Sequence, residues 1–177
     1  MGRGIEKGLQ TQPLLKEIEK LAEYKQFLTD TSVLIYLSKA NIMNKFAETY
    51  KIIITDNVYK EIKRKQDDIF STISAEIKKN NIIVKNINNN KLNGEESLYY
   101  YYKNFNKSPI ISDDIKIIKK LINENIPFTS TPMVPILLYI KKILQKKECR
   151  GKINDIFSNG FYTKTVKDYV NAILEIL

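Results

Sequence analysis

The 177-residue chain has no histidine and a single cysteine, Cys149. Without imidazole there is no Ser-His-Asp or Cys-His catalysis, no His-ligated zinc or haem, and no base of that kind near neutral pH. One cysteine excludes a disulfide framework and a thiolate metal cluster. No glycine-rich turn follows any candidate strand, which removes a nucleotide-binding Rossmann domain. The longest apolar run, Met133 to Ile140, falls far short of the ~20 residues that span a bilayer. The opening Met1-Gly2-Arg3-Gly4 has neither an apolar signal core nor the hydroxyl of a myristoylation motif, so a cytoplasmic location is expected. Catalysis, if there is any, rests on carboxylates, hydroxyls or lysines, with a hard metal ion that prefers oxygen ligands.

What the chain does have is charge and a regular pattern. Lys+Arg 29 against Asp+Glu 20 gives a net +9. Lysines that neutralise phosphates release counterions and drive association with polyanions, although a surplus of this size also serves solubility alone. The 43% hydrophobic content and a length at which roughly 70% of the unfolded surface is buried fit a folded domain with a sizeable core.

Periodicity alternates between strand and helix and reads as α/β. Pro13 stands near the head of an amphipathic helix carrying Leu14, Leu15, Ile18 and Leu21. Short strands are expected at Gln26–Thr29, Lys51–Thr55, Ile82–Val84, Pro109–Ser112 and Pro127–Thr129. Helices are expected over Ser32 to Phe46, around Val58–Ile62, over Asp67 to Lys79, Gly94 to Phe105, Asp113 to Asn125 and Val134 to Lys147, with two more closing the chain. Strands joined through helices require a parallel sheet with right-handed crossovers.

Ligands of such sheets gather beyond the carboxyl ends of the strands, and acids recur there. Asp30 ends the first strand, Asp113 and Asp114 follow the fourth, Glu61 lies in the first turns of the helix after the second, and Glu95 begins the helix before the fourth. Glu95 shares a stripe with Leu98, Tyr101, Tyr102 and Phe105, whereas Glu96 points about 100° away. Taken singly, Asp30, Asp113 and Glu95 also read as helix caps or first-turn acids, and Glu61 as a solvated charge. Convergence is the argument for function: capping does not explain four segments delivering carboxylates to one sheet edge. Crowded carboxylates repel unless a cation neutralises them, which Mg²⁺ or Mn²⁺ does while leaving positions for water and phosphate oxygens.

These residues resemble the PIN-domain ribonucleases. Phe27-Leu28-Thr29-Asp30-Thr31-Ser32 looks like the first strand and acid of that family, and Thr55-Asp56-Asn57-Val58-Tyr59-Lys60-Glu61 like its second station. Gly94-Glu95-Glu96-Ser97 and Ile110-Ile111-Ser112-Asp113-Asp114 are similar to the third and fourth. Ser158-Asn159-Gly160-Phe161-Tyr162 before the last helix is similar to a branch that often accompanies toxin-antitoxin loci. The resemblance implies a three-layer α/β/α sandwich around a parallel sheet of about five strands, formed by residues 26–177, with residues 1–25 as an N-terminal helical extension. It implies RNA hydrolysis at a Mg²⁺ or Mn²⁺ site. The catalytic set is then Asp30, Glu61, Glu95, Asp113 and Asp114, the metal ligands Asp30, Glu61, Glu95 and Asp114, and the supporting hydroxyls Ser32 and Ser112. RNA is the expected partner, with a small antitoxin protein over the acidic pocket and a homodimer implied by the same likeness. Thr129-Ser130-Thr131-Pro132 stands where the branch usually has glycine.

Two basic clusters flank the acids: Lys60, Lys63, Arg64 and Lys65 beside Glu61, and Lys116, Lys119 and Lys120 after the aspartate pair. Lys63, Arg64, Lys116, Lys119 and Lys120 are the candidate RNA contacts, against a solvated face as the plain alternative. Of four consecutive tyrosines, Tyr101 and Tyr102 read as core, while Tyr99 or Tyr100 is placed to stack on a base. Cys149 has no assigned role. An aspartyl-phosphate enzyme would carry Asp-x-Asp after the first strand, where this chain has Asp30-Thr31-Ser32, and a receiver domain would carry its acid pair there rather than after the fourth. The remaining competitor is a PIN-like module that binds RNA or protein without cutting.

Overall fold

The computed structural model describes residues 15–64, 68–89 and 91–177. Pro13, Leu14, Lys65 and Asp67, named in several of the expectations above, lie outside them. The described residues fall into two compact units, Tyr24–Thr131 and residues 15–23 with Pro132–Leu177.

The first unit is built on five parallel strands, β1 (Gln26–Thr29), β2 (Lys51–Thr55), β3 (Ile82–Lys85), β4 (Ile110–Ile111) and β5 (Phe128–Thr129), in the order β3-β2-β1-β4-β5. Its helices are α2 (Thr31–Lys39), α3 (Met43–Thr49), α4 (Asp56–Lys63), α5 (Asp68–Lys78), α6 (Gly94–Asn104) and α7 (Ile115–Asn123). Right-handed crossovers place α2 to α5 on one face and α6 and α7 on the other. The contacts of α2 with α3, α4 and α5, and of α6 with α7, agree, and α4 also meets α6. This is the parallel α/β arrangement that the alternating pattern predicts and the α/β/α sandwich that the resemblance implies. Buried on both faces, the strands read as apolar runs: Phe27 and Leu28, Ile52 to Ile54, and Ile110 with Ile111. Phe27 packs edge-on to Tyr50 at 5.1 Å between ring centroids and lies 5.9 Å from Phe46.

The second unit contains helical residues 15–23 (α1), α8 (Val134–Ile140) after a 3₁₀ turn at Thr131–Met133, α9 (Lys146–Asn159) and α10 (Lys164–Ile176). Cys149 is fully buried on α9, and burial pushes its thiol pKa up to about 12, so it is an inert core side chain.

Two helices expected to be continuous are broken. The stretch from Ser32 to Phe46 divides into α2 and α3 at Asn41, whose φ is 54°, and that from Val134 to Lys147 divides into α8 and α9 after Lys142, at φ 61°. Both breaks are Schellman turns. Asn41 N–H donates to Ser38 O and Ile42 N–H to Leu37 O, and Lys142 N–H donates to Tyr139 O and Ile143 N–H to Leu138 O. Asn80 and Asn125 end α5 and α7 in the same way. No glycine of the described residues has a positive φ, and asparagine, which tolerates this conformation, takes its usual place at helix ends. Lys142 is the exception, with a side chain that gains nothing there. Lys142→Gly is expected to raise stability by roughly 0.5–1 kcal/mol, read as a higher urea midpoint at unchanged m-value.

Candidate active site

The sheet order reverses at β1, which pairs with β2 on one side and β4 on the other. The chain leaves β1 and β4 toward opposite faces, and a crevice opens between them at their carboxyl ends. Asp30 and the Asp113/Asp114 pair stand at this crevice.

Register explains the first contact. Thr29 aligns with Ile111, so the next residue on each strand, Asp30 and Ser112, meet, and Ser112 Oγ donates to Asp30 Oδ2 at 2.6 Å. Ser32 Oγ (2.7 Å) and Val33 N–H (3.0 Å) donate to Asp30 Oδ1, the latter as the N-cap bond of α2. Asp30 is fully buried. That burial is the main reason its pKa rises from 3.8 to about 6; the charge of Asp113 also raises it, against the lowering effect of the bonds from Ser112, Val33 and Ser32. A carboxylate that is buried, beside another acid and without a basic partner among the described residues is one that a cation would stabilise.

Asp113 and Asp114 separate by role. Asp114 Oδ1 accepts from Ile117 N–H at 2.9 Å and caps α7, and Asp114 N–H donates to Ser112 Oγ at 3.2 Å. Asp113 is the acid whose charge is felt at Asp30. It accepts from Thr131 N–H at 3.0 Å and from Thr131 Oγ1 at 2.5 Å. Ile111 aligns with Thr129, and two residues further along both strands the side chains are again in phase.

Glu61 takes a different position. On half-buried α4, its Oε2 accepts from Thr31 Oγ1 at 2.6 Å and its Oε1 from Gly94 N–H at 2.9 Å. Gly94 N–H belongs to the first turn of α6, a donor with no partner inside the helix. Glu61 therefore fastens the residue after Asp30 to the residue before Glu95. A Cβ on Gly94 would lie 2.8 Å from Glu61 Oε2, so glycine is needed here for close approach. A second tie joins β2 to α6: Thr55 Oγ1 and Ser97 Oγ lie 2.5 Å apart, and Ser97 Oγ donates to Gly94 O at 2.6 Å.

Glu95 is half-buried in the first turn of α6 and makes no hydrogen bond or ion pair among the described residues, whereas its neighbour Glu96 is spent on a capping box with Asn93. Thus Asp30 and Asp113 are close enough to interact, and Glu61 links the segments bearing Asp30 and Glu95. No three acids among the described residues stand together as a ready cation cage. Mg²⁺ is commonly held by one or two carboxylates with water in its remaining positions, and the Asp30–Asp113 pair fits that donor chemistry.

Lys63, Arg64, Lys116, Lys119 and Lys120 are all exposed. Lys120 Nζ lies over the Tyr99 ring, 3.5 Å from its centroid, and Tyr99 donates to Glu124, which also pairs with Lys103. Tyr101 and Tyr102 are buried and Tyr100 is exposed. Thr31, Gly94 and Thr131 were not candidates on sequence grounds. A threonine directly after one acid, a glycine directly before another and a hydroxyl-rich segment after β5 were the available signals.

A family model described as a PIN domain matches residues 26–176. No curated protein matches the chain.

Proposed function

The chain belongs to the PIN-domain family, a nuclease-type fold, and on that premise we propose that it is a metal-dependent endoribonuclease. The observation that supports this reading best is the buried Asp30, held by three donors with Asp113 beside it at the point where the sheet order reverses. In this proposal Asp30 and Asp113 hold Mg²⁺ or Mn²⁺, and Glu95, unengaged at the start of α6, completes the acidic wall. Asp114 keeps one oxygen on the α7 cap and offers the other. Glu61 acts as a positioning residue. The ion supplies an activated water and charge stabilisation for phosphodiester hydrolysis. The protein's own part is to hold Asp30 ionised and in one rotamer through Ser32 and Ser112, to fix Asp113 through Thr131, and to attract RNA with exposed lysines.

The family also supplies the expectation of a small antitoxin protein seated over the cleft, of a homodimer and of a cytoplasmic location. No helix among the described residues is long and apolar enough to cross a membrane. One observation favours a second reading, a PIN-like module that binds RNA or protein without cutting: no three acids are gathered for a metal ion among the described residues. Cleavage of single-stranded RNA separates the two. The nuclease reading expects products in Mn²⁺ or Mg²⁺, their loss in EDTA and their return with excess metal. Intact RNA in every metal tested would favour the binding module.

A further inference from the structure

A second concavity adjoins the acids. About 590 Å³ in volume, it lies between the end of α4 and the segment before α6, with Asn57, Lys60, Glu61, Arg64, Lys91 and Asn93 on its walls. That volume is within the range of sites that enclose small molecules. Its basic residues come from two segments held at a fixed spacing. Asn57 Nδ2 donates to Asn89 O at 3.0 Å and to Leu92 O at 2.6 Å, so α4 is tied to Asn89 and Leu92, and Lys91 N–H is further fixed by Asn89 Oδ1 at 3.2 Å.

The charges are not equivalent. Lys60 is occupied by Asp56 at 2.9 Å, and Glu61 has one donor on each oxygen. Arg64 and Lys91 are exposed and make no ion pair among the described residues. Two cations with no ion-pair partner among the described residues, one a planar guanidinium with paired donors, suit a phosphate group on a concave wall. A further polar group is unsatisfied. Asn57 is 6% exposed, and its Oδ1 is buried without a hydrogen-bond partner among the described residues. Such an acceptor is costly to leave unmade, and it is enclosed by protein, so Asn57 serves the pocket through its two amide donations, which fix the floor.

We infer that this pocket is a nucleotide seat for single-stranded RNA, in which Arg64 and Lys91 take a backbone phosphate and Asn57 closes the floor, on the Glu61 side of the acidic cleft. The inference rests on the ribonuclease reading for the identity of its ligand. It assigns RNA positioning to Lys91 and Asn57, which lie in neither basic cluster of the sequence, and withholds it from Lys60.

The test is binding of a fluorescein-labelled single-stranded RNA of mixed sequence to the full chain in EDTA, followed by fluorescence anisotropy over a range of salt. The double variant Arg64→Ala/Lys91→Ala is compared with Lys141→Ala/Lys147→Ala, which loses the same charge from exposed positions outside the pocket. The pocket variant is expected to bind on the order of tenfold more weakly, and its salt slope to fall by about 1.4, the loss of two single-strand phosphate contacts. The control pair should change neither by as much. Lys91→Glu alone should weaken binding further than Lys91→Ala. Equal weakening by the two double variants, or none by the first, would overturn the pocket. RNA bound through the pocket but cut in no metal would overturn the ribonuclease reading and leave the pocket standing.

Discussion

Asp30→Asn should give a protein that is more stable than the parent at pH 7 and inactive as a nuclease. Asparagine caps a helix as well as aspartate does, and its Oδ1 can keep the bonds from Ser32 Oγ and Val33 N–H. Its Nδ2 can donate to Ser112 Oγ once that hydroxyl turns. What is lost is a buried charge. Raising the pKa from 3.8 to about 6 means that the folded state holds this proton more tightly than the unfolded chain. The associated stability is fully present below pH 3.8 and is lost as pH rises through about 6. At about 1.4 kcal/mol per tenfold difference in proton affinity, the ionised side chain costs the parent about 3 kcal/mol at pH 7. The amide escapes that cost, so its melting temperature at pH 7 should rise by roughly 5–10 °C, with little gain at pH 4. Cleavage should fall by about 100-fold or more, because an amide cannot neutralise the metal ion. In the parent, cleavage should rise with pH through about 6 as Asp30 ionises. A variant that melts lower than the parent at pH 7, or cuts RNA normally, would remove Asp30 from its proposed role.

Gly94→Ala should destabilise the parent yet become harmless or mildly stabilising once Glu61 is Ala. Helix propensity alone favours alanine at this position by up to about 1 kcal/mol. Its Cβ, however, would sit 2.8 Å from Glu61 Oε2 and 3.0 Å from Oε1, so the carboxylate must shift and weaken its bonds from Thr31 and Gly94 N–H. Hydrogen bonds to a charged group contribute about 1.5–3 kcal/mol each, and weakening two of them outweighs the propensity gain. The expected net loss is about 1–3 kcal/mol by urea denaturation. In a Glu61→Ala background the obstacle is gone and only the propensity term survives. The change of sign across this double-mutant cycle isolates the contact. A Gly94→Ala penalty of equal size in both backgrounds would mean that Glu61 is not the fastening described here. Because the same carboxylate ties Thr31 to α6, Gly94→Ala should also slow cleavage while Asp30, Asp113 and the metal ion remain in place.

Local rules made much of the fold legible. The apolar runs Ile52 to Ile54 and Ile110 with Ile111 announced buried parallel strands. Asp30 caps α2 as its place after the first strand suggests, but at the aspartate pair the cap is Asp114 and not Asp113, and the expected start of α6 at Gly94 coincides with the observed one. The breaks at Asn41 and Lys142 were not legible, because a single residue with positive φ interrupts a helix without disturbing its apolar spacing. Lys142 carries no signal for that conformation at all.

Residue types and their places along the chain determined the chemistry open to this protein: no imidazole, a single cysteine, and carboxylates after alternating strands on a basic chain. Which carboxylates meet was decided only by the tertiary structure. Pairing β1 with β4 brings Asp30 to Ser112 and within electrostatic reach of Asp113, although more than eighty residues separate them in the chain. Register between β4 and β5 gives Asp113 to Thr131, which leaves Asp114 to cap α7. The missing Cβ of Gly94 lets Glu61 close on α6. Spacing within one segment sets which face a side chain occupies, but strand order, register and close backbone approach are relations between segments distant in sequence, and packing alone selects them.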